Sequence, residues 1–268
     1  MSTLKNEFSW SFSRHDIFQS CLKRYYFTYY ASWGGWQADA PAHVREVYML
    51  KKLSTRFQWA GHHVHQAIAD LIREERTPLS ASMISHIVEQ RLDHMRREFR
   101  QSRAGAYHLD PIHTPGLFEH EYRLELPPEE WKAVAERVAI ALHRFLNSEV
   151  WAFLVSLPPD AFLSMERRSH FILDGLTVFA IPDLVVRQNR RILIYEWKTG
   201  LSPLLEHRMQ LGTYVLLAMD RWTADPCEIE GIAYNPIMSQ RESFCYSAGE
   251  VEEVKEFIRD SADEMLFP

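Results

Sequence analysis

The sequence is short of the features that mark several protein classes. It has only three cysteines, Cys21, Cys227 and Cys245, in 268 residues. They are odd in number and far apart, which argues against a disulfide framework and suits a reducing compartment. No run approaches the roughly 20 apolar residues of a membrane-spanning helix, and the opening MSTLKNEFSW lacks the apolar segment of a signal peptide. The expected location is therefore the cytoplasm. Basic residues are not in excess: 30 Lys and Arg stand against 36 Asp and Glu, a net charge of −6. That balance counts against a passive nucleic-acid binder, which is usually basic. It leaves room for an enzyme with a local basic groove, or for an acidic site that holds metal. Repeats and low-complexity segments are missing too.

What is there is a globular composition, 46% hydrophobic and 25% charged, with 13% aromatic residues. The length allows a sizeable core. An aromatic helix is predicted over Ser9–Tyr30, with Ser13 as its cap, followed by a loop over Trp33–Val47. Helical spacing of Val64, Ile68, Leu71 and Ile72 predicts a helix over Tyr48–Glu75, and further helices are predicted over Ser82–Arg100 and Glu129–Asn147. LFEHEYRLEL, residues 117–126, alternates like a strand. The second half changes character. FLSMERRSHFIL, LTVFAIPDLVV and RILIYEWK read as three strands, the first two joined by a tight turn at Asp174–Gly175. A helix over Leu204–Arg221, strands IEGIAYNPI and ESFCYS, and a helix over Gly249–Glu264 complete a β-β-β-α-β-β-α order.

Two charges at the end of an apolar strand need a reason. Glu196 and Lys198 follow Ile192, Leu193 and Ile194, and side chains two apart on a strand share a face. Taking both out of water is costly unless an ion pair, an exposed edge or a site accounts for them. Asp183 lies one short turn away, on a neighbouring strand about 4.8 Å off. Two carboxylates facing one side could share a divalent metal, and hard oxygen ligands suit Mg²⁺ or Mn²⁺. Lys198 could then hold a water or neutralise charge on a phosphate. This is the chemistry of phosphodiester hydrolysis.

With Asp183 in IPDLV and Glu196–Lys198 in EWK, the sequence resembles the PD-(D/E)xK nuclease superfamily. GHHVH (Gly61–His65) and QLGTY (Gln210–Tyr214) resemble the G-x-x-x-H and Q-x-x-x-Y motifs of its RecB-like exonuclease branch, and SFSRHDIFQSCLKRYYF resembles the opening helix of that branch. The likeness runs from about Ser11 to Ala218. It implies an α/β fold, a restriction-endonuclease-like mixed central sheet flanked by helices, with a helical N-terminal half. One domain over residues 1–268 is expected: a helical part to about 150, and a catalytic core from about 160 that also takes in the His65 helix. By the same resemblance His65, Asp183, Glu196 and the carbonyl of Trp197 are metal ligands, and Asp183, Glu196 and Lys198 are catalytic. Gln210 and Tyr214 organise the site and touch the substrate strand, and His62 is a supporting group. The sequence departs from the pattern at Ala180, where relatives often carry Gly. It also has Cys21 but no cluster of three C-terminal cysteines, as the iron–sulfur relatives among the CRISPR-associated and AddB-type nucleases have, so no iron–sulfur cluster is expected.

The implied activity is a metal-dependent DNA nuclease, an exonuclease on single strands or DNA ends in repair, recombination or defence, with a separate helicase or defence-system protein as partner. A different class competes with it: a non-cleaving module that keeps the fold to bind nucleic-acid ends or a protein. Several residues carry two readings. Arg187, Arg190 and Arg191, in the turn taken to lie beside the site, could grip a phosphate backbone, or form a solvated turn. Tyr25–Tyr30 could stack on bases with Lys23 and Arg24 on phosphates, though packing into the core is favoured. Arg96, Arg97, Arg100 and Arg103 read chiefly as a surface face. Glu166 is a candidate outer acid, Glu121 an exposed edge residue, and Cys21 a buried thiol.

Overall fold

The computed structural model describes residues 5–74 and 76–266. In chain order its main elements are helices α1 (Phe12–Ser20) and α2 (Leu22–Tyr26), a π-helical turn (Phe27–Ala31), α3 (Ala42–Lys52), α4 (Arg56–Glu74), α5 (Ala81–Arg103), α6 (Phe118–Glu121), α7 (Pro128–Leu146) and α8 (Glu149–Ser156). Strands β1 (Phe162–Met165), β2 (Ser169–Leu173), β3 (Leu176–Ala180), β4 (Leu184–Gln188) and β5 (Arg191–Trp197) follow, then α9 (Arg208–Trp222), β6 (Ile229–Asn235), β7 (Gln240–Cys245) and α10 (Ala248–Leu266). They form two compact units. One gathers the described residues of Met1–Leu22, Ser156–Asn235 and Ser239–Pro268; the other holds Lys23–Val155 and Pro236–Met238.

The sheet unit is built on five strands in the order β1-β4-β5-β6-β7. The pairs β1/β4, β4/β5 and β6/β7 are antiparallel, while β5 and β6 run parallel. Parallel neighbours need a crossover, and α9 supplies it. Both faces of β5 are buried, as expected of a central strand between helices. β2 and β3 form a separate hairpin, turned by Asp174 and Gly175, both at positive φ. Fully buried Trp10 bridges to that hairpin and donates its indole N–H to Ser261 of α10 at 2.9 Å.

The helical unit follows from its apolar stripes. Val64, Ile68, Leu71 and Ile72 of α4 and Val134, Val138, Leu142 and Phe145 of α7 are all buried, and α4 and α5 both pack on α7. Ser80 caps α5 by accepting from the Met83 N–H at 3.3 Å. Pro128 opens α7, where its missing N–H costs nothing, with Glu129 and Glu130 in the first turn and His143 and Arg144 in the last, matching the helix dipole.

Several predicted elements take another form. Residues 117–126 are not a strand. Leu117 bridges Ser54, and α6 turns the buried Glu119 carboxylate onto the Arg56 N–H at 3.0 and 3.1 Å, capping α4. The helix predicted over Tyr48–Glu75 is two, broken at Leu53–Thr55 by that same junction, and α3 begins at Ala42, inside the predicted loop; Glu75 lies outside the described residues. Ser11, not Ser13, caps α1, accepting from Arg14 N–H at 3.2 Å. Cys21 is exposed, in extended backbone between α1 and α2. Of the Tyr25–Tyr30 run only Tyr25 is buried, so this run is not core. No single helix among the described residues is long and apolar enough to cross a membrane.

Candidate active site

Two of the three long strands predicted in the second half are each broken, and the breaks meet. Pro182 has no N–H for a ladder, so β3 ends at Ala180 and the chain re-enters a different sheet at Leu184. The other break is at Glu166, which takes a positive φ of 45° between β1 and β2. Its N–H donates to the Asp183 carbonyl at 3.1 Å. The two carboxylates, Glu166 and Asp183, offer oxygens within 4.8 Å of each other. An unbroken strand would place neither side chain this way.

Asp183 lies one step beyond the last ladder pair, Leu184 with Tyr195, and so comes opposite Glu196. Its Oδ2 accepts the Trp197 N–H at 2.7 Å. Glu196 is 6% exposed at the end of β5. Its Oε1 accepts from Lys198 Nζ at 3.0 Å and from Gln210 Nε2 at 2.8 Å. Lys198 Nζ also donates to Gln210 Oε1 at 2.8 Å, and Gln210 Nε2 reaches the Tyr214 hydroxyl at 2.8 Å. Gln210 and Tyr214 share a face of α9 at i, i+4. The charge pair at the strand's end is thus resolved: buried Glu196 and half-buried Lys198 form an ion pair, and a helix amide ties both ends. Burial, with the Glu196 and Asp183 charges adding, pushes the Tyr214 phenol well above its usual range, so it stays a neutral hydroxyl. Burial, then the Lys198 charge, lowers His207 to about 4, so this imidazole beside the site is neutral at pH 7.

Asp183, Glu196, Trp197, Lys198, Gln210 and Tyr214 are therefore brought together within the sheet unit. His65 belongs to the helical unit, half-buried on α4 with Ile68 one turn on. On that helix His63 is the fully buried histidine; its Nε2 pairs with Glu98 at 2.9 Å, and Trp59 Nε1 donates to the same oxygen at 2.7 Å. His62 is exposed. Arg187 and Arg191 are not beside the acids. Asp183 and Glu196 occupy the open end of the β4–β5 hairpin and the arginines its turn end, Arg187 about 13 Å and Arg191 about 16 Å away along the strands. Arg191 pairs with Glu230 at 3.6 Å, and Arg190 with Glu228 at 3.3 Å. Glu121 is not on a strand edge; it accepts from the Tyr107 hydroxyl at 2.5 Å and pairs with His108 at 3.0 Å. Glu166 is the residue the sequence undervalued. Its signal was an acid placed just before Arg167 and Arg168 in an over-long strand.

The donor set suits a divalent cation. Two carboxylates within 4.8 Å repel one another in isolation, and hard carboxylate oxygens at that separation fit the shell of an ion bound at about 2.0–2.6 Å. No curated protein matches this chain. A solved structure titled "Crystal structure of SSO0001" is similar at 17% identity with a TM-score of 0.30, over 56% of this chain and 69% of that one. The family model of the PD-(D/E)XK nuclease superfamily matches residues 9–266. With a mixed sheet flanked by helices, an acidic pair where two strands break, and Glu196 and Lys198 at the end of the strand that follows, the chain belongs to the PD-(D/E)XK nuclease superfamily.

Proposed function

We propose that the chain is a metal-dependent DNA nuclease, an exonuclease that acts on single strands or DNA ends in repair, recombination or defence, alongside a separate helicase or defence-system protein. The observation that carries this reading is the Glu196–Lys198–Gln210–Tyr214 network set beside Asp183. A purely structural ion pair at the end of a central strand does not need a second carboxylate beside it and an amide and a phenol tied into it.

Asp183 and Glu196 would hold the metal, Mg²⁺ or Mn²⁺ by the hardness of their oxygens. Glu166 joins them by its distance from Asp183. His65 and the Trp197 carbonyl are added on the sequence resemblance. When bound, the ion supplies Lewis acidity toward a phosphoryl oxygen and a nucleophile at neutral pH. Lys198, held at 3.0 Å from Glu196, keeps its ammonium at the mouth of that carboxylate. There it orients a water and offsets charge developing on the phosphate. Gln210 fixes both groups at once, so neither spends rotamer freedom when substrate arrives. Tyr214, neutral at working pH, accepts from the Gln210 amide at 2.8 Å and adds no negative charge beside the carboxylates.

The test is cleavage of end-labelled single- and double-stranded DNA with Mg²⁺, Mn²⁺ or EDTA. Asp183→Asn and Lys198→Ala should each lose metal-dependent cleavage while keeping the wild-type circular dichroism spectrum. Cleavage retained by either folded variant rejects the assignment, and the product ladder separates exonuclease from endonuclease.

A further inference from the structure

The helical unit carries an aromatic surface that the nuclease reading leaves unused. Tyr26 is 56% exposed, Phe27 41%, Tyr30 40% and Trp33 40%. Four such rings within one short segment make a patch, and clustered exposed apolar groups mark interaction sites where scattered ones do not. They are held in place. The widened turn bonds Ser32 N–H back to the Phe27 carbonyl at 3.2 Å. It brings Tyr26 and Tyr30 nearly parallel, with centroids 6.4 Å apart and planes 15° from one another. An inner layer supports the outer one. Buried Tyr25 reaches the Tyr30 hydroxyl at 3.4 Å, and Trp36, packed on Tyr48, meets Trp33 edge-on at 4.9 Å. π-Helical turns occur often at functional sites, and this one carries three of the four exposed rings on or beside it.

Charge indicates what covers them. From Ile17 to Ala38 the sequence has no Asp or Glu, in a chain with 36 acids, and Lys23 and Arg24 open the aromatic run. Lys51 lies over the Tyr29 ring at 5.8 Å and Lys52 over Tyr48 at 5.5 Å. Exposed rings that follow Lys23 and Arg24 in an acid-free stretch, with two lysines packed on the neighbouring Tyr29 and Tyr48, match a strand that offers unpaired bases and phosphates together. A second exposed ring pair lacks this setting: Phe118 and Tyr122 lie 4.4 Å apart, among Glu119 and Glu121.

We propose that Tyr26, Phe27, Tyr30 and Trp33 form a stacking platform for a single-stranded nucleic acid, with Lys23 and Arg24 on its phosphates. The idea rests on the nuclease reading for its kind of substrate, yet binding here needs no metal. The test uses the full chain in EDTA, with fluorescence anisotropy of a labelled oligo-dT and of an equal-length duplex. Tyr26→Ala/Tyr30→Ala should weaken oligo-dT binding by about 5- to 150-fold, the range for one lost base stack. Lys23→Ala should lower the salt slope by about 0.7, as for one phosphate on a single strand. Tyr122→Ala should bind as wild type does. Tyr30 also touches buried Tyr25, so the double variant should melt slightly lower yet stay folded at the assay temperature, which circular dichroism checks. Wild-type binding by the double variant, equal loss in Tyr122→Ala, no preference for the single strand, or no binding by the wild type each overturns the platform. So does ring-dependent binding to phosphatidylserine vesicles with oligonucleotide affinity unaffected. Mg²⁺-dependent cleavage, measured in parallel, separates the two ideas. Cleavage with ring-independent binding removes the platform alone, whereas ring-dependent binding without cleavage removes the nuclease reading alone.

Discussion

Gln210 is the residue on which the site's order depends. Its amide donates to the Glu196 carboxylate and accepts from the Lys198 ammonium, both at 2.8 Å. Gln210→Leu keeps the bulk and removes both bonds to charged partners. It should cost about 1.5–3 kcal/mol in urea denaturation, the usual worth of one charged hydrogen bond, and lower cleavage further than KM alone can explain. An unchanged midpoint would mean that Lys198 alone steadies Glu196. His207 sets a pH limit. Its folded pKa is about 4, through burial first and Lys198 second, and its seat before the first turn of α9 disfavours a positive charge in the same sense. Unfolded, the group titrates near 6.5. Between those values the unfolded chain binds the extra proton, so the stability His207 confers is complete above about 6.5 and is lost as pH falls toward 4. Thermal unfolding at pH 7.5 and pH 5 should show a steeper acid loss in wild type than in His207→Gln; parallel losses would clear His207 of the effect.

At the scale of elements, the motifs were legible and the breaks were not. The period-2 pattern put Glu196 and Lys198 on one face with Asp183 a short turn away, while Gln210 and Tyr214 came with the resemblance to the Q-x-x-x-Y motif. The same period-2 pattern hid the interruptions. FLSMERRSHFIL and LTVFAIPDLVV each keep strand character across a break made by one residue, Glu166 at positive φ and Pro182 without an N–H. The acidic pair exists because of those breaks. LFEHEYRLEL alternated by accident, its Glu119 being committed to the end of α4, a tertiary contact that no local pattern carries. The closeness of α9 to α10 was equally invisible. A Cβ on Gly212 would lie 2.5 Å from Cγ2 of Val254, a stiff branched side chain. Gly→Ala inside a helix ordinarily gains about 1 kcal/mol, whereas overpacking costs about 1–3 kcal/mol. Gly212→Ala should therefore lower the melting temperature. It should also disturb Gln210 and Tyr214, which flank it on α9, and Gly212→Ala/Val254→Ala should recover most of the loss. A more stable Gly212→Ala would show that the two helices separate freely.

Over the whole molecule, the net charge of −6 conceals a division of labour. Acids gather where two strands break, and an aromatic stretch with basic neighbours is cleared of them. An acidic pair without a cation is a standing repulsion in the folded state, and the unfolded chain does not share it. A divalent ion that binds only the folded site should therefore stabilise the protein. At a hundred times its Kd the gain is about 2.7 kcal/mol, which for a chain of this size is roughly 5–10 °C in Tm. Calorimetry with Mg²⁺ or Mn²⁺ against EDTA should show that rise in wild type. Asp183→Asn and Glu166→Gln should both reduce it, and Glu166→Gln in EDTA should melt no lower than wild type, since it relieves the repulsion while keeping the backbone bond to Asp183. Asp183→Asn keeps an oxygen for the Trp197 N–H, so loss of the metal response there would report on charge and not on collapse of the loop. A full response in both variants would put the ion at other residues and leave the Glu166–Asp183 contact as a turn feature alone.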